Sequence, residues 1–336
     1  MQIIHLVDSG GMGGIERHIE IVCAAQRAIG LDARVLLIDD HAENTWPARL
    51  SARDIPHAFA GGAGRLAHAL RTRSPALVHT HGYKAGVLGR IICCVLRIPV
   101  VSAFHAGEIG AFPVSLYQRI DILTSRLAPK IAVSAQIAAR LPKPVYLVEN
   151  FAPAPVGDLA APLPGVIAFV GRLSIEKGPD LFCELAAQAP RDEHQWVMYG
   201  DGPMRHELEN KYYNYVTFRG LVTDMDSQWA DIGLLVMTSR AEGLPYAALE
   251  ALSHGVPLLA HGVGGLPDLL AGEPEWILAQ SDLMQAQAQI KQWDCDRREG
   301  SQGLRMRARK LLGGAYCAEA AMPKLFAAYA QAGVII

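Results

Sequence analysis

The sequence predicts an α/β protein made of two successive parallel-sheet halves, and three observations carry that prediction. Short β-branched runs alternate with helical patterns from the first residues onward, the rhythm of βαβ units and so of a parallel sheet. The rhythm breaks once, at a proline-rich stretch near the middle, and then resumes. The chain has 336 residues, more than a single hydrophobic core usually serves, so two domains of about 150 residues each are expected.

In the first half, strands are expected over 3–7, 33–38, 77–79, 100–104, 130–133 and 145–148, with helices near 16–29 and 65–73. Residues 150–165 read N-F-A-P-A-P-V-G-D-L-A-A-P-L-P-G, and those prolines forbid a regular helix or a central strand. Residues 151–164 are therefore read as a linker between a first domain, 1–150, and a second, 165–314. The second βα series places strands near 166–170, 195–199, 217–219, 233–237 and 257–260. A closing helix over 315–331, within a last segment 315–336, is expected to pack back on the first domain. Two such halves leave a cleft between the C-terminal edges of their sheets, where open α/β folds bind ligands.

Hydrophobic residues make up 51% and charged residues 19% of the chain, a composition that excludes disorder. The six cysteines (Cys23, Cys93, Cys94, Cys183, Cys295, Cys317) form no Cys-x-x-Cys or zinc-like spacing, which fits a reduced cytoplasmic compartment. The N-terminus lacks the basic and apolar regions of a leader, because residues 1–7 run straight into Asp8 and a glycine turn. The most apolar stretch, 85–98, is interrupted by Arg90 and ends at Arg97 and Pro99, short of the roughly 20 residues that span a bilayer.

Net charge is −2, unevenly divided: +5 in residues 1–150 and −7 in the remainder. Arg71, Arg73 and Arg90 belong to a basic excess over 55–148 that points to anionic lipid surfaces or phosphorylated ligands; a scatter of solvated arginines accounts for it equally well. Nucleic acid is not expected, since there is no Lys-rich tail or recognised binding motif.

The first turn, Ser9-Gly10-Gly11-Met12-Gly13-Gly14, lies between a strand and a helix, where glycines let backbone N–H groups approach an anion. A dinucleotide fingerprint starting at Gly11 would need glycine where Glu16 stands, which weakens an NAD reading although Asp39 and Asp40 mimic a ribose-binding acid. A ligand-free glycine turn stays open. In the second half, Gly171-Arg172-Leu173-Ser174-Ile175-Glu176-Lys177-Gly178 places a guanidinium and an ammonium five residues apart at a strand-to-helix turn. Two cations there neutralise a diphosphate and stabilise charge on a leaving group; taken alone, such a pair on a surface turn is usually just solvated. Glu242 and Glu250 stand eight apart in E-G-L-P-Y-A-A-L-E. A helix starting near Pro245 lets both face one ligand, or both face solvent.

These segments together, F-V-G-R-L-S-I-E-K-G, G-D-G-P, F-R-G, T-S-R-A-E-G-L-P-Y-A-A-L-E-A and G-V-P-L-L-A-H-G-V-G-G-L-P-D-L-L, resemble the family 4 retaining glycosyltransferases of GT-B fold, strongest over 166–270. The resemblance implies two Rossmann-like domains facing a central cleft and transfer of a hexosyl or N-acetylhexosaminyl group from a nucleotide diphosphate sugar. It assigns Arg172 and Lys177 to the donor diphosphate, Glu242 to the sugar hydroxyls and Glu250 to the ribose. Gly13, Gly14, Gly243, Leu244 and Pro245 join the donor site, as do Gly200, Gly202, Leu221 and Val222 around the base. His105, followed by Ala106-Gly107-Glu108, is the implied contact to the transferred sugar, and Gly11, Met12, His81, Tyr83 and Lys84 face the acceptor. Many members carry Phe-Gly where this chain has Leu244-Pro245, and proline removes an amide N–H from the donor's surroundings.

No metal is implied. His79 and His81 at i and i+2 suggest one, but no third ligand is evident in the sequence. Asp224-Met225-Asp226 copies the metal motif of a different glycosyltransferase fold; Thr223 and Asp224 before a helical 227–230 read better as a helix cap. No first-domain carboxylate stands out as a nucleophile, so same-face attack is expected, the departing phosphate taking the acceptor proton. The implied partners are a nucleotide sugar, a glycan or lipid-linked acceptor in surface polysaccharide or lipopolysaccharide synthesis, and the inner membrane face. A GT-B-type epimerase or phosphorylase, and a catalytically silent partner subunit, remain the alternatives.

Overall fold

The computed structural model describes residues 1–336 except 43, 106–113, 156, 191–192 and 281, and the side chains of 114 and 115. The chain divides into two compact units, Met1–Phe151 with Ala318–Ile336, and Ala152–Cys317.

Unit 1 holds strands β1 (Gln2–Val7), β2 (Asp32–Leu37), β3 (His57–Phe59), β4 (Leu77–His81), β5 (Val100–Phe104), β6 (Lys130–Ala132) and β7 (Val145–Leu147). They form one parallel sheet in the order β3-β2-β1-β4-β5-β6-β7. Its helices are α1 (Gly14–Ala28), α2 (Trp46–Ala52), α3 (Ala63–Arg73), α4 (Tyr83–Leu96), α5 (Val114–Thr124) and α6 (Ala135–Arg140). Unit 2 repeats the plan with β8 (Val166–Val170), β9 (Gln195–Tyr199), β10 (Thr217–Gly220), β11 (Leu234–Met237), β12 (Leu258–His261) and β13 (Ile277–Leu278), parallel in the order β10-β9-β8-β11-β12-β13. Its helices are α7 (Pro179–Gln188), α8 (Arg205–Tyr212), α9 (Tyr246–Ser253), α10 (Leu266–Leu269) and α11 (Leu283–Lys310). The last helix, α12 (Ala318–Gln331), belongs to unit 1 and packs against β5, β6 and β7.

Both sheets reverse strand order beside their first strand, between β1 and β4 and between β8 and β11. Loops leaving the C-terminal ends of such strands diverge, and ligands bind in the crevice so formed. The strands are buried on both faces, as parallel sheets require: the β1 core residues Ile3, Ile4, Leu6 and Val7 are all buried, as are Ile167, Ala168 and Phe169 of β8.

Several expectations change in three dimensions. Strands β3 and β13 were not expected; they are three and two residues long. The proline-rich segment is no free-standing linker, since Ala152 and Leu163 are buried in the unit 2 core. The helix expected over 227–230 shrinks to a 3-10 turn, Trp229–Asp231, and Ser227 Oγ donates to the Asp224 carbonyl. Arg90, counted with the surface charges, is fully buried on α4. Its guanidinium donates to the Asp121 carboxylate at 2.6 Å, Ser102 Oγ at 3.0 Å and Thr124 Oγ1 at 2.7 Å. Gly86, one turn earlier, leaves the room: a Cβ there would lie 2.6 Å from Asp121 Oδ1. Lys130, within β6, is buried as well.

Candidate functional site

In unit 2 the site is built by stitching two loops together at the reversal point. The chain after β8 makes a 3-10 turn, Ile175–Lys177, and then α7. Between them Gly178 adopts φ +65°, and a Cβ there would stand 2.1 Å from the Thr238 carbonyl oxygen, just past β11. That contact needs glycine. Thr238 Oγ1 donates to the Gly178 carbonyl at 2.7 Å, and the amides of Arg240 and Ala241 donate to the Glu176 carbonyl. Arg240 also forms a fork on Asp180, at 2.8 and 2.6 Å.

Joining the loops brings Lys177 onto Glu242. The ammonium donates to both carboxylate oxygens at 2.7 Å, and Ser239 Oγ donates to Oε1 at 2.8 Å. The Glu242 side chain is only 3% exposed, whereas that of Lys177 is 30% exposed. A charge-assisted contact this sheltered holds the ammonium in a fixed direction. His261, at the end of β12, donates Nδ1–H to the Ser239 carbonyl at 3.2 Å and supports the loop from behind. Arg172 is exposed at the end of β8, and no ion pair among the described residues engages it. Glu250 is buried in α9, whose N-terminal boundary is Pro245.

In unit 1 the glycine turn leads into α1 with Gly13 at the N-cap position and no side-chain cap. Gly10, Gly11 and Gly14 have nothing within 4 Å of an added Cβ, and none has positive φ. The protein's own packing does not require glycine there. Behind the turn lie five histidines. His5 of β1, His79 and His81 of β4, and His18 of α1 are buried, and His105 after β5 is half-buried. His5 Nδ1 lies 3.0 Å from His81 Nε2, and His81 Nδ1 lies 3.1 Å from His105 Nε2. Burial pushes the pKa of His5 and His105 down to about 4, and those of His18, His79 and His81 well below the usual value. All five are neutral imidazoles at pH 7.

Residues 12–145 match the family described as Glycosyltransferase Family 4, and residues 164–293 match Glycosyl transferases group 1. The chain belongs to the family 4 glycosyltransferases. One relative, the Escherichia coli UDP-Gal:alpha-D-GlcNAc-diphosphoundecaprenol alpha-1,3-galactosyltransferase, is 27% identical over 54% of this chain and 57% of its own length. Another, the alpha-D-kanosaminyltransferase of Streptomyces kanamyceticus, is 26% identical over 56% of this chain. The match takes in 60% of that protein, so the chain spans somewhat over half the length of these relatives. Among solved structures, HepE of Anabaena in complex with UDP-glucose superposes with a TM-score of 0.73 at 21% identity. It covers 99% of this chain and 98% of its own. A glycosyltransferase of Rickettsia africae gives 0.74 at 14% identity, covering 98% of each chain. These likenesses show the GT-B fold, two Rossmann-like units.

Within this family 4 chain the residues read from sequence are placed unevenly. Lys177 and Glu242 are brought into contact, with Arg172 on the same loop as Lys177. Gly243 is exposed, but Leu244 is turned into the unit 2 core, so only its backbone is on offer. Gly200 and Gly202 serve close backbone packing: a Cβ on Gly200 would lie 1.9 Å from the Gly171 oxygen, and one on Gly202 would lie 2.5 Å from the Leu173 oxygen. Leu221 is exposed and Val222 half-buried beyond β10.

Three residues read as acceptor-side have partners of their own within unit 1. His81 is buried with both ring nitrogens already engaged. Lys84 is held between Asp8 and Asp39 at 2.7 Å from each, which also occupies the acid read as a ribose ligand. Tyr83 remains partly open but stacks on Tyr117, centroids 5.9 Å apart. The residues after His105, 106–108, lie outside the described ones. The third imidazole that the sequence did not reveal is His5: the ligand atoms of His5, His79 and His81 lie within 4.8 Å of one another. Ser239, also missed, carried a faint signal as a hydroxyl three residues before Glu242.

Proposed function

We propose that this protein transfers a hexosyl or N-acetylhexosaminyl group, with retention at the anomeric carbon, from a nucleotide diphosphate sugar to a glycan or lipid-linked glycan of a surface polysaccharide or lipopolysaccharide. The observation that carries the reading is the Lys177 ammonium seated on the Glu242 carboxylate, with exposed Arg172 on the same loop as Lys177, at the strand-order reversal of the unit 2 sheet. Arg172 and Lys177 stabilise the departing diphosphate and take the place of a metal. Glu242 aims the ammonium and meets the sugar hydroxyls, Glu250 meets the ribose, and His105 contacts the transferred sugar. The phosphate that leaves accepts the acceptor's proton on the same face.

A uridine nucleotide is the first donor to test, because HepE is described with UDP-glucose and the Escherichia coli relative is named for UDP-Gal. That relative's diphosphoundecaprenol acceptor, with the basic excess of unit 1, supports a lipid-linked acceptor at the inner membrane face. No helix among the described residues is long and apolar enough to cross a membrane, so the contact proposed is peripheral. Helix α5 suits it: Leu116, Tyr117, Ile120 and Leu123 are exposed, with Arg119 exposed between them, an amphipathic surface that lies in a headgroup layer.

Thermal shift with UDP, GDP, ADP and their sugars tests the reading. A ligand at 100 times its Kd adds about 2.7 kcal/mol of stability. One nucleotide class is expected to stabilise the unaltered protein, and Lys177→Ala and Glu250→Ala to lose that effect. Stabilisation by none, with no transfer to any undecaprenyl diphosphate sugar, sinks the proposal.

A further inference from the structure

The histidines of unit 1 lie on one hydrogen-bonded line, and its inner end has a fixed polarity. Gln26 of α1 is fully buried. Its Nε2 donates to the Tyr329 hydroxyl of α12 at 2.8 Å, and its Oε1 faces His5 Nε2 at 2.8 Å. An amide oxygen only accepts, so the His5 proton sits on Nε2. His5 is neutral, so its Nδ1 is bare and His81 must donate to it from Nε2, across 3.0 Å. His81 is neutral in its turn, its Nδ1 is bare, and His105 must donate from Nε2 across 3.1 Å. We infer that Gln26, acting through His5 and His81, holds the proton of His105 on Nε2 and so presents Nδ1 of His105 as a hydrogen-bond acceptor.

The same polarity accounts for a buried atom that has no partner. The Tyr329 hydroxyl, accepting from Gln26, has its proton left for His79 Nδ1 at 3.0 Å. That puts the His79 proton on Nε2, a buried nitrogen without a hydrogen-bond partner. Such an orphan is costly, and it is the local cost of orienting the rest of the line. Gln26 and His5 are thus positioning residues. Their importance for transfer rests on the reading that His105 meets the sugar, where an acceptor nitrogen takes a hydroxyl proton and a donor nitrogen does not. A divalent transition metal is the competing occupant of His5, His79 and His81. It would need all three nitrogens at about 2.0–2.1 Å and would replace the His5–His81 hydrogen bond.

The test is a long-range proton–nitrogen correlation spectrum of histidine-labelled protein at pH 7.5, without nucleotide sugar. His5, His81 and His105 are expected as single Nε2–H tautomers. Gln26→Met removes the acceptor and is expected to turn His105 into a mixture of tautomers. Gln26→Glu, which keeps oxygen acceptors facing His5, is expected to retain Nε2–H on His105. Should Gln26→Met not fold, His5→Met cuts the line one residue nearer, with the same mixture expected. An Nδ1–H tautomer on His105 in the unaltered protein, a single unchanged tautomer in the Met variants, or a mixture in Gln26→Glu overturns the inference. So does a stoichiometric metal in the purified protein whose chelation shifts these resonances. No step uses a donor, so failure of the glycosyl-transfer reading shows in the nucleotide series and not here.

Discussion

Gly178 and Gly11 are the same residue put to opposite uses. Gly178 is locked in by geometry, with positive φ and a carbonyl where its Cβ would go. The left-handed backbone alone costs a side chain about 1–2 kcal/mol, and the overlap adds to it, so Gly178→Ala is expected to lower the unfolding free energy by at least ~2 kcal/mol in urea titration. Gly11 has open space where a Cβ would go, so Gly11→Ala is expected to shift stability by no more than about 0.5 kcal/mol. If the turn admits a ligand's anion against the backbone, that methyl group still lowers kcat/KM about ten-fold, near 1.4 kcal/mol. Unchanged turnover for Gly11→Ala would return the turn to a mere connection. Neither G-G-M-G-G nor E-K-G separated the two uses in advance, because what lies around each Cβ is set by residues distant in sequence.

At the scale of elements, α4 and α5 are joined by the ion pair of Arg90 and Asp121. Burial lowers the arginine's pKa and raises that of the aspartate, each countered in part by the other. Removing one partner strands a buried charge, so Arg90→Ala is expected to cost about 3–5 kcal/mol, while the double replacement of Arg90 and Asp121 by leucine recovers most of it. Denaturation midpoints of the three proteins check this. The outward face of α5 carries a separate expectation: Leu116→Glu with Leu123→Glu leaves the thermal midpoint unchanged and reduces co-sedimentation with anionic vesicles several-fold at low salt. Equal sedimentation of the two proteins would detach α5 from the membrane reading. Most strands were legible from their β-branched runs, but β3 and β13 were not. His57–Phe59 and Ile277–Leu278 are too short to show a period of two, and they are held as strands by pairing with β2 and β12. Arg90 misled for a related reason: charge is visible in a sequence, whereas the aspartate that buries it lies on another helix.

Across the whole molecule, acid sensitivity should fall unequally on the two units. Five histidines in unit 1 have depressed pKa values, against His194 and His261 in unit 2. Above about pH 6.5 these groups are neutral folded or unfolded and contribute no pH dependence. Below it the unfolded chain binds protons that the folded chain refuses, so stability is lost as pH falls from about 6.5 toward 4. Each such histidine contributes up to about 1.4 kcal/mol per pH unit. Hydrogen exchange between pH 7.5 and 5 is expected to show unit 1 amides losing protection first; uniform loss across both units would contradict this. The two-unit plan and the Arg172, Lys177 and Glu242 loops were readable because each occupies a short contiguous motif. The histidine line was not, since β1, α1, β4, the end of β5 and α12 all contribute to it or to its anchor.

Helix α12 completes unit 1 from the far end of the chain. Tyr329, buried against Gln26 and His79, is made only after all of unit 2 has been synthesised. The sheet made earlier therefore cannot finish its interior first. Unit 2, contiguous from Ala152 to Cys317, needs no later segment to close, while the earlier-made strands wait for α12 with β5, β6 and β7 uncovered. A nascent chain stalled before α12 emerges should be protease-sensitive in its first half and resistant in its second, the reverse of the usual N-to-C order.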